Sequence, residues 1–275
     1  MASPRRRLFL AGCAALTLAV LVVAAIAVVR HDPVGGDTPR PPVGVPQDRP
    51  GPVLLIPGYG GERAGLLVLA SRLSAAGRQV HVLTLPGRGE GDLHLQAMTL
   101  DRAVRAAMAG GAPSVDVVGY SAGGVVARLW AREDGGAARA RRIVTLGSPH
   151  HGTDLAELGA LLGAKACPVA CRQLRPGSAL LARLAAGDET PAGPRWTSIW
   201  TRDDRVVTPP GSARLSGALD IAVQQVCRHR VVAHGQLPVD PVVTGLVLRS
   251  VGVGPPRALR PGDCVRLARL GSGHP

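Results

Sequence analysis

The sequence predicts an α/β fold in which a mostly parallel central sheet is flanked by helices. From residue 52 onward, short apolar runs alternate with longer runs of helical spacing, which is typical of βαβ units. The short runs are apolar on both faces, as strands of a parallel sheet covered on both sides are. We therefore expect one domain over residues 52–275, with a lid-like insertion over residues 150–194.

Six strands are predicted, each a short run of apolar and β-branched residues. They are Val53–Ile56, Val80–Leu85, Val115–Gly119, Ile143–Leu146, Thr197–Trp200 and Leu219–Val223. Helices are predicted over about residues 63–76, 93–109, 122–133, 155–164, 177–186 and 239–250. In the first helix Leu66, Leu69 and Leu73 share one face, which suits a helix that covers a sheet.

The first fifty residues indicate export and a linker. Arg5, Arg6 and Arg7 precede the uncharged run Leu8–Val29, which is long enough to span a bilayer as a helix. We expect residues 1–30 to be an export signal or a membrane anchor; cleavage near Ala27 and retention both remain open, as does the twin-arginine route. Residues 31–51 contain six prolines, and this composition predicts an extended linker.

Composition limits the classes of function. The formal net charge of +13 could attract nucleic acid, but aromatic residues make up only 2% of the chain, so stacking on bases is excluded. Hydrophobic residues at 46% exclude a disordered chain. We expect a monomeric exported protein, extracellular or tethered to the outer side of the cell membrane. Its basic charge favours a membrane or lipid interface as partner over nucleic acid.

Four cysteines follow the linker, namely Cys167, Cys171, Cys227 and Cys264. An even number in an exported chain favours two disulfides. Of the three possible pairings we prefer Cys167 with Cys171, which closes a local loop, and Cys227 with Cys264, which pins the C-terminal tail. A zinc site is the alternative, although no histidine lies at ligand spacing beside the first pair.

The segment Gly119-Tyr120-Ser121-Ala122-Gly123 matches the pattern G-x-S-x-G. A predicted strand enters it and a predicted helix leaves it, which is the strand–turn–helix context of a nucleophile elbow. The flanking glycines allow a sharp turn without Cβ clashes. Ser121 is therefore the candidate nucleophile; the alternative is a serine that only caps the helix.

A second glycine-rich turn follows the first strand, in the run Val53–Gly61. It lacks the lysine and hydroxyl residue of a phosphate-binding loop. Glycines there would let a main-chain N–H face a developing alkoxide, so the run is interpreted as an oxyanion loop. The expected donors are the N–H groups of Tyr59 and Ala122, while a plain connecting turn is the alternative.

A nucleophilic serine needs a base and an orienting carboxylate, which follow it in the order serine, acid, histidine in this arrangement. Asp203 and Asp204 end a predicted strand, and either could be the acid. His234 precedes the last predicted helix and is the candidate base. The histidines considered less suitable, by position in the chain or order, are His150, His151, His229 and His274.

Six segments in order, VLLIPGYGG, VDVVGYSAGG, IVTLGSPHHGT, QLRPGSALL, TSIWTRDDRVVTPP and VVAHGQL, resemble the bacterial triacylglycerol lipases of the α/β-hydrolase superfamily. The resemblance covers roughly residues 52–250 and points to the exported actinobacterial and Bacillus-type enzymes. It implies that Asp204, just before a hydrophobic pair, is the acid and that His234 is the base. Pro57 departs from the pattern, since many relatives have histidine there.

The resemblance implies an exported serine ester hydrolase, above all a lipase that cleaves acylglycerol esters through an acyl-enzyme on Ser121. It implies no metal and no organic cofactor. A small-ester or cutinase-like esterase, a thioesterase and an acyltransferase would need the same residues, and an envelope-anchored lipid-binding module is the non-enzyme alternative. The apolar runs Leu155–Leu162 and Leu180–Leu184 could form a lid or an acyl-binding wall, or only face the core.

Overall fold

The computed structural model describes residues 44–254 and 259–273. The expected export segment, residues 1–30, and most of the expected linker lie outside the described residues. Within the described part of the chain, no helix is both long enough and apolar enough to cross a membrane.

A six-stranded sheet forms the centre of the domain, and every neighbouring pair of strands is parallel. The strands are β1 (Val53–Ile56), β2 (Val80–Val82), β3 (Val115–Tyr120), β4 (Ala140–Leu146), β5 (Arg195–Trp200) and β6 (Leu219–Ala222). Their order across the sheet is β2-β1-β3-β4-β5-β6. This is the α/β-hydrolase fold, which confirms the predicted class. β2 ends at Val82, three residues before the predicted end at Leu85, and a short 3₁₀ helix follows at Pro86–Gly89.

Side chains alternate across the strands and build two cores, one on each face of the sheet. In β1, Leu54 and Ile56 belong to one core, and Val53 and Leu55 to the other. All four are at most 1% exposed. The sheet is therefore covered by helices on both faces, which is why its strands lack polar positions at regular intervals.

The helices are α1 (Ala64–Ala75), α2 (Leu93–Ala109), α3 (Ala122–Glu133), α4 (Asp154–Leu161), α5 (Val169–Gln173), α6 (Ala179–Ala185), α7 (Val223–Val226), α8 (Pro241–Ser250) and α9 (Cys264–Ser272). Residues of α2, α3 and α6 enter the first core, and residues of α1, α8 and α9 enter the second. The sequence did not predict α5, α7 or α9. α9 contacts α8 at Gly271, whose position leaves no room for a Cβ beside Pro241 O.

The end of the expected linker packs against the domain. Ser114 Oγ donates a hydrogen bond to Arg49 O at 2.9 Å, and Arg141 Nη1 donates one to Gln47 O at 3.1 Å. Arg141 is fully buried and also pairs with the buried Asp116, which Arg78 contacts at 2.7 Å. Main-chain carbonyls of Gln47 and Arg49 thus satisfy buried donors of the domain.

The insertion over residues 150–194 contains α4, α5 and α6, and its two leucine-rich runs differ in burial. Leu180, Leu181 and Leu184 of α6 are buried in the first core. The four leucines of the earlier run are instead between 53% and 76% exposed; they are Leu155, Leu158, Leu161 and Leu162. The leucines of the second run therefore face the core, whereas the first run contributes only Ala156 to it.

Two disulfides join Cys167 to Cys171 and Cys227 to Cys264. This is the pairing preferred from the sequence. The first closes the loop between α4 and α5, and the second ties the end of α7 to the start of α9.

Candidate active site

Three polar side chains meet beyond the carboxyl ends of the strands, as parallel strands allow. Ser121 follows β3 directly, Asp204 lies in the turn after β5, and His234 lies in the loop that leads from α7 to α8. The sequence separates them by 83 and 30 residues, and the sheet order brings them together because β3, β4, β5 and β6 are successive neighbours.

Ser121 stands on a sharp turn. Its φ of 53° and ψ of −126° lie outside the regions that side chains favour. A Cβ on Gly123 would lie 2.4 Å from Ile56 O, and one on Gly119 would lie 2.5 Å from the main chain of Gly123. The glycines are therefore required by close packing of the turn. The side chain of Ser121 makes no capping bond to α3, so it is not a simple helix cap.

A chain of hydrogen bonds links the three side chains. His234 Nε2 lies 3.0 Å from Ser121 Oγ, and His234 Nδ1 lies 2.7 Å from Asp204 Oδ2. A carboxylate can only accept, so Nδ1 carries the proton and Nε2 is left to accept from the serine hydroxyl. This tautomer is the one a general base needs.

Asp204 is 4% exposed and is held from both sides. Its Oδ1 accepts from the main-chain N–H groups of Val206 at 2.9 Å and Val207 at 2.8 Å, while Oδ2 faces His234. These contacts hold the carboxyl group in one orientation, with Oδ2 turned toward the imidazole.

Tyr120 supports His234 from the other side. Its hydroxyl donates to His234 O at 3.3 Å, and the two rings are 5.2 Å apart. Burial, together with the Asp204 carboxylate, raises the pKa of Tyr120 to about 12. The hydroxyl thus stays protonated and remains a donor at any pH near neutral.

The glycine-rich loop after β1 lies against the serine. A Cβ on Gly58 would be 2.8 Å from Ser121 Cβ and 3.4 Å from Ser121 Oγ, so only glycine fits there. This contact places Tyr59 next to the serine. Ala122 begins α3, and the first N–H groups of a helix have no partner within it. The two expected oxyanion donors, Tyr59 and Ala122, therefore come from segments that meet at Ser121.

A cavity of about 290 Å³ opens beside the serine. Most of its wall is apolar, and much of it comes from α4 and from the turn after Asp204. The lining includes Tyr59, Ser121, Leu155, Leu158, Leu162 and Val207. Three of the four exposed leucines of the insertion thus form a wall next to Ser121.

The other candidate histidines lie elsewhere. His150 is completely buried, and burial lowers its pKa well below the usual range. His151 contacts Glu189, and His229 is exposed. His274 lies outside the described residues. No group of three or more His, Cys, Asp or Glu side chains in the described ranges is arranged to hold a metal ion.

Sequence reasoning missed the residues that support the three central side chains. Tyr120 belongs to the G-x-S-x-G motif but was assigned no contact to His234. Asp203 is not bonded to that histidine; it accepts from the main-chain N–H of Val232 at 3.1 Å. Gln224, which contacts Asp203 at 2.9 Å, carries no motif by which the sequence could single it out.

Comparison with known proteins agrees with the fold. Residues 51–163 match the family model described as alpha/beta hydrolase fold. A lipase B of Aspergillus fumigatus superposes with a TM-score of 0.63 at 19% identity, covering 84% of this chain and 63% of that one. The Bacillus licheniformis lipase BlEst2 in its propeptide form gives a TM-score of 0.61 at 19% identity, covering 79% and 54%.

The mature form of the Bacillus lipase gives a TM-score of 0.53 at 18% identity, covering 64% of this chain and 84% of that one. The chain therefore spans less than two thirds of the Aspergillus lipase and of the Bacillus propeptide form. Comparison with curated protein sequences gave no match. At these identities the likeness establishes the fold.

Proposed function

We propose that this chain, which has the α/β-hydrolase fold, is a serine ester hydrolase that acts on lipid esters. The observation that carries the proposal is the line of hydrogen bonds from Ser121 Oγ through His234 to Asp204, at 3.0 and 2.7 Å. A buried carboxylate, an oriented imidazole and a serine on a strained turn together are the arrangement that acyl transfer needs.

In the proposed reaction His234 Nε2 removes the proton of Ser121 as Oγ attacks the ester carbonyl. The resulting oxyanion accepts hydrogen bonds from the N–H groups of Tyr59 and Ala122. His234 then gives its proton to the leaving alcohol, and an acyl-enzyme remains. Water, deprotonated by the same imidazole, attacks the acyl-enzyme and releases the carboxylic acid and the free serine.

The cavity supports a lipid ester as substrate. Its 290 Å³ and its largely apolar wall suit an acyl chain better than a small polar acyl group. Leu155, Leu158 and Leu162 line the same opening. Together with the exposed Leu161 they would contact a lipid interface. An acylglycerol is the substrate class that we propose.

Export is part of the proposal. Two disulfides are typical of proteins that fold in an oxidising compartment. The arginines and apolar run before residue 30 support an export signal or an anchor on the outer side of the membrane.

The test is hydrolysis of nitrophenyl esters of increasing acyl length, with labelling by an organophosphonate followed by intact mass. Ser121→Ala should lose activity on the order of 10⁴-fold or more and take up no label. Ser71→Ala, an exposed serine on α1, is the matched control and should behave as the unmodified chain. Activity retained in Ser121→Ala would refute the proposal.

Adding an oil interface to the acyl-length series separates the possible ester classes. A lipase should prefer long chains and gain rate at the interface, whereas a small-ester esterase should prefer short chains in solution. Lipid binding without phosphonate labelling would instead indicate the binding module considered from the sequence.

A further inference from the structure

His234 and Asp204 lie on different loops, so the 2.7 Å contact between them depends on how these loops are held together. The acid loop, residues 201–204, follows β5. The histidine loop, residues 227–234, follows α7. Besides the contact between His234 and Asp204, a second set of hydrogen bonds joins the same two loops. It lies about two residues away from that contact along the chain.

Gln224 of α7 lies at the centre of this second set. Its side-chain oxygen accepts from Arg202 N at 3.0 Å. Its amide nitrogen lies 3.0 Å from Thr201 Oγ1, 2.9 Å from Asp203 Oδ2 and 3.1 Å from Arg230 O. An amide nitrogen has two protons, so these are shared among three acceptors. One half-buried side chain therefore binds both the acid loop and the histidine loop.

Asp203 makes the direct connection between the loops. Its Oδ2 accepts from Gln224 Nε2 and also from Val232 N, at 3.1 Å, two residues before His234. A carboxylate that accepts N–H groups makes stronger bonds than a neutral oxygen. The aspartate beside the proposed catalytic acid thus holds the backbone that carries the proposed base.

We propose that Asp203 and Gln224 are positioning residues, which keep His234 in register with Asp204 and Ser121. This inference rests on the proposed function. Neither residue lines the cavity beside Ser121, so they would act through the imidazole rather than on substrate. A displacement of about 1 Å in a catalytic group costs on the order of 100-fold in rate.

Other contacts hold the histidine loop to the rest of the domain and should preserve the fold when Asp203 is changed. Arg230 Nε binds Asp240 Oδ2 at 2.7 Å, Tyr120 binds His234 O, and the disulfide at Cys227 fixes the start of the loop. Removing Asp203 therefore releases one restraint among several, and the expected effect is on rate more than on stability.

The test compares Asp203→Ala with Asp203→Asn. The amide oxygen of asparagine can take the place of Oδ2 and accept both bonds, so Asp203→Asn should restore most of the rate. Asp203→Ala should lower kcat and the rate of phosphonate labelling by about 10- to 100-fold with KM within twofold. The matched control is Asp188→Ala, which removes an exposed carboxylate that accepts from Thr190 N at 3.0 Å.

Gln224→Leu provides a second variant of similar size. It should also lower kcat. The double variant with Asp203→Ala should lose little more kcat than the slower of the two single variants, because both substitutions remove the same connection between the loops. Proton NMR supplies an independent readout. The His234 Nδ1 proton, bonded to a carboxylate, should resonate far downfield, and this signal should weaken in Asp203→Ala but persist in Asp203→Asn and Asp188→Ala.

The results separate the two proposals. Labelling that persists in Ser121→Ala would overturn the proposed function and the positioning role with it. Labelling only at Ser121, but at an unchanged rate in Asp203→Ala and Gln224→Leu, would overturn the positioning role alone. A loss confined to KM would do the same. If Asp203→Ala lacks a cooperative thermal transition, Gln224→Leu and Asp203→Asn decide by the same criteria.

Discussion

Replacing Ser121 by glycine should leave the domain more stable than replacing it by alanine, although at most positions the order is the reverse. Both variants lose the hydroxyl and its contact to His234. They differ only in the Cβ, which at φ 53° and ψ −126° is held in a conformation that glycine adopts easily and alanine does not.

The size of the effect follows from two opposing terms. A non-glycine residue in such a sparsely populated region costs about 1–3 kcal/mol. Glycine in turn costs roughly 0.4–1 kcal/mol more than alanine because its unfolded chain is more flexible. The balance favours Ser121→Gly over Ser121→Ala by about 1 kcal/mol, which corresponds to ~2–4 °C in Tm for a domain of this size.

Thermal and denaturant unfolding of the two variants measures this difference. The pair Ser71→Gly and Ser71→Ala on the exposed face of α1 is the control, and there alanine should be the more stable, as in any helix interior. If Ser121→Ala proved as stable as Ser121→Gly or more so, the strain attributed to the turn would be refuted.

Three further predictions concern stability. Replacing both cysteines of Cys227–Cys264 by serine should lower the free energy of unfolding by about 3.8 kcal/mol, because the disulfide closes a loop with a separation of 37 residues. The same change at Cys167–Cys171, with a separation of 4, should lower it by about 1.9 kcal/mol. Equal losses in denaturant unfolding would contradict this loop-entropy account. Asp116→Ala should lower the free energy of unfolding by about 3–5 kcal/mol, because it leaves the buried guanidinium of Arg141 without its carboxylate partner. A loss below 1 kcal/mol in the same assay would argue against a fully buried ion pair. Burial, with the charge of Arg128, lowers the pKa of His150 below its unfolded value, so the unfolded chain binds the proton first. The stability that comes from neutral His150 is present above pH ~6.5 and is lost as the pH falls toward the folded pKa, at up to about 1.4 kcal/mol per pH unit. Between pH 7.5 and 5, the free energy of unfolding should therefore decline more steeply in the unmodified chain than in His150→Asn. Parallel curves would exclude this contribution.

Local pattern was sufficient for the main elements of the fold. The strands at Val53, Val115 and Ile143 are mainly apolar on both faces, apart from buried polar residues such as Asp116 and Thr145. Helices cover both sides of the sheet, and a buried parallel strand leaves that signature in the sequence. Short elements such as α7, with four residues, leave no periodic signal. α9 was missed because its apolar face is narrow and its position depends on packing against α8.

The candidate site could be predicted only in part. The strand–glycine–helix context singled out Ser121, and chain order directed attention to His234. The choice between Asp203 and Asp204 came from resemblance, because adjacent carboxylates in one turn are equivalent in composition and charge. They differ in the direction of the side chain: Oδ2 of Asp204 faces the imidazole of His234, whereas Oδ2 of Asp203 faces Val232 N.

The insertion over residues 150–194 could likewise be predicted only in part. Its two leucine runs have similar composition and spacing, so the sequence left open whether either formed a wall or the core. The run at Leu180 packs beneath the sheet, while the run at Leu155 lines the cavity and meets solvent. By itself the sequence determined the strands and the strand–turn–helix around Ser121, since each depends on residues close in the chain, and it favoured the cysteine pairing that the structure has. The tertiary structure decided which carboxylate faces the histidine and which leucines face the cavity, because both depend on contacts between segments far apart in the chain.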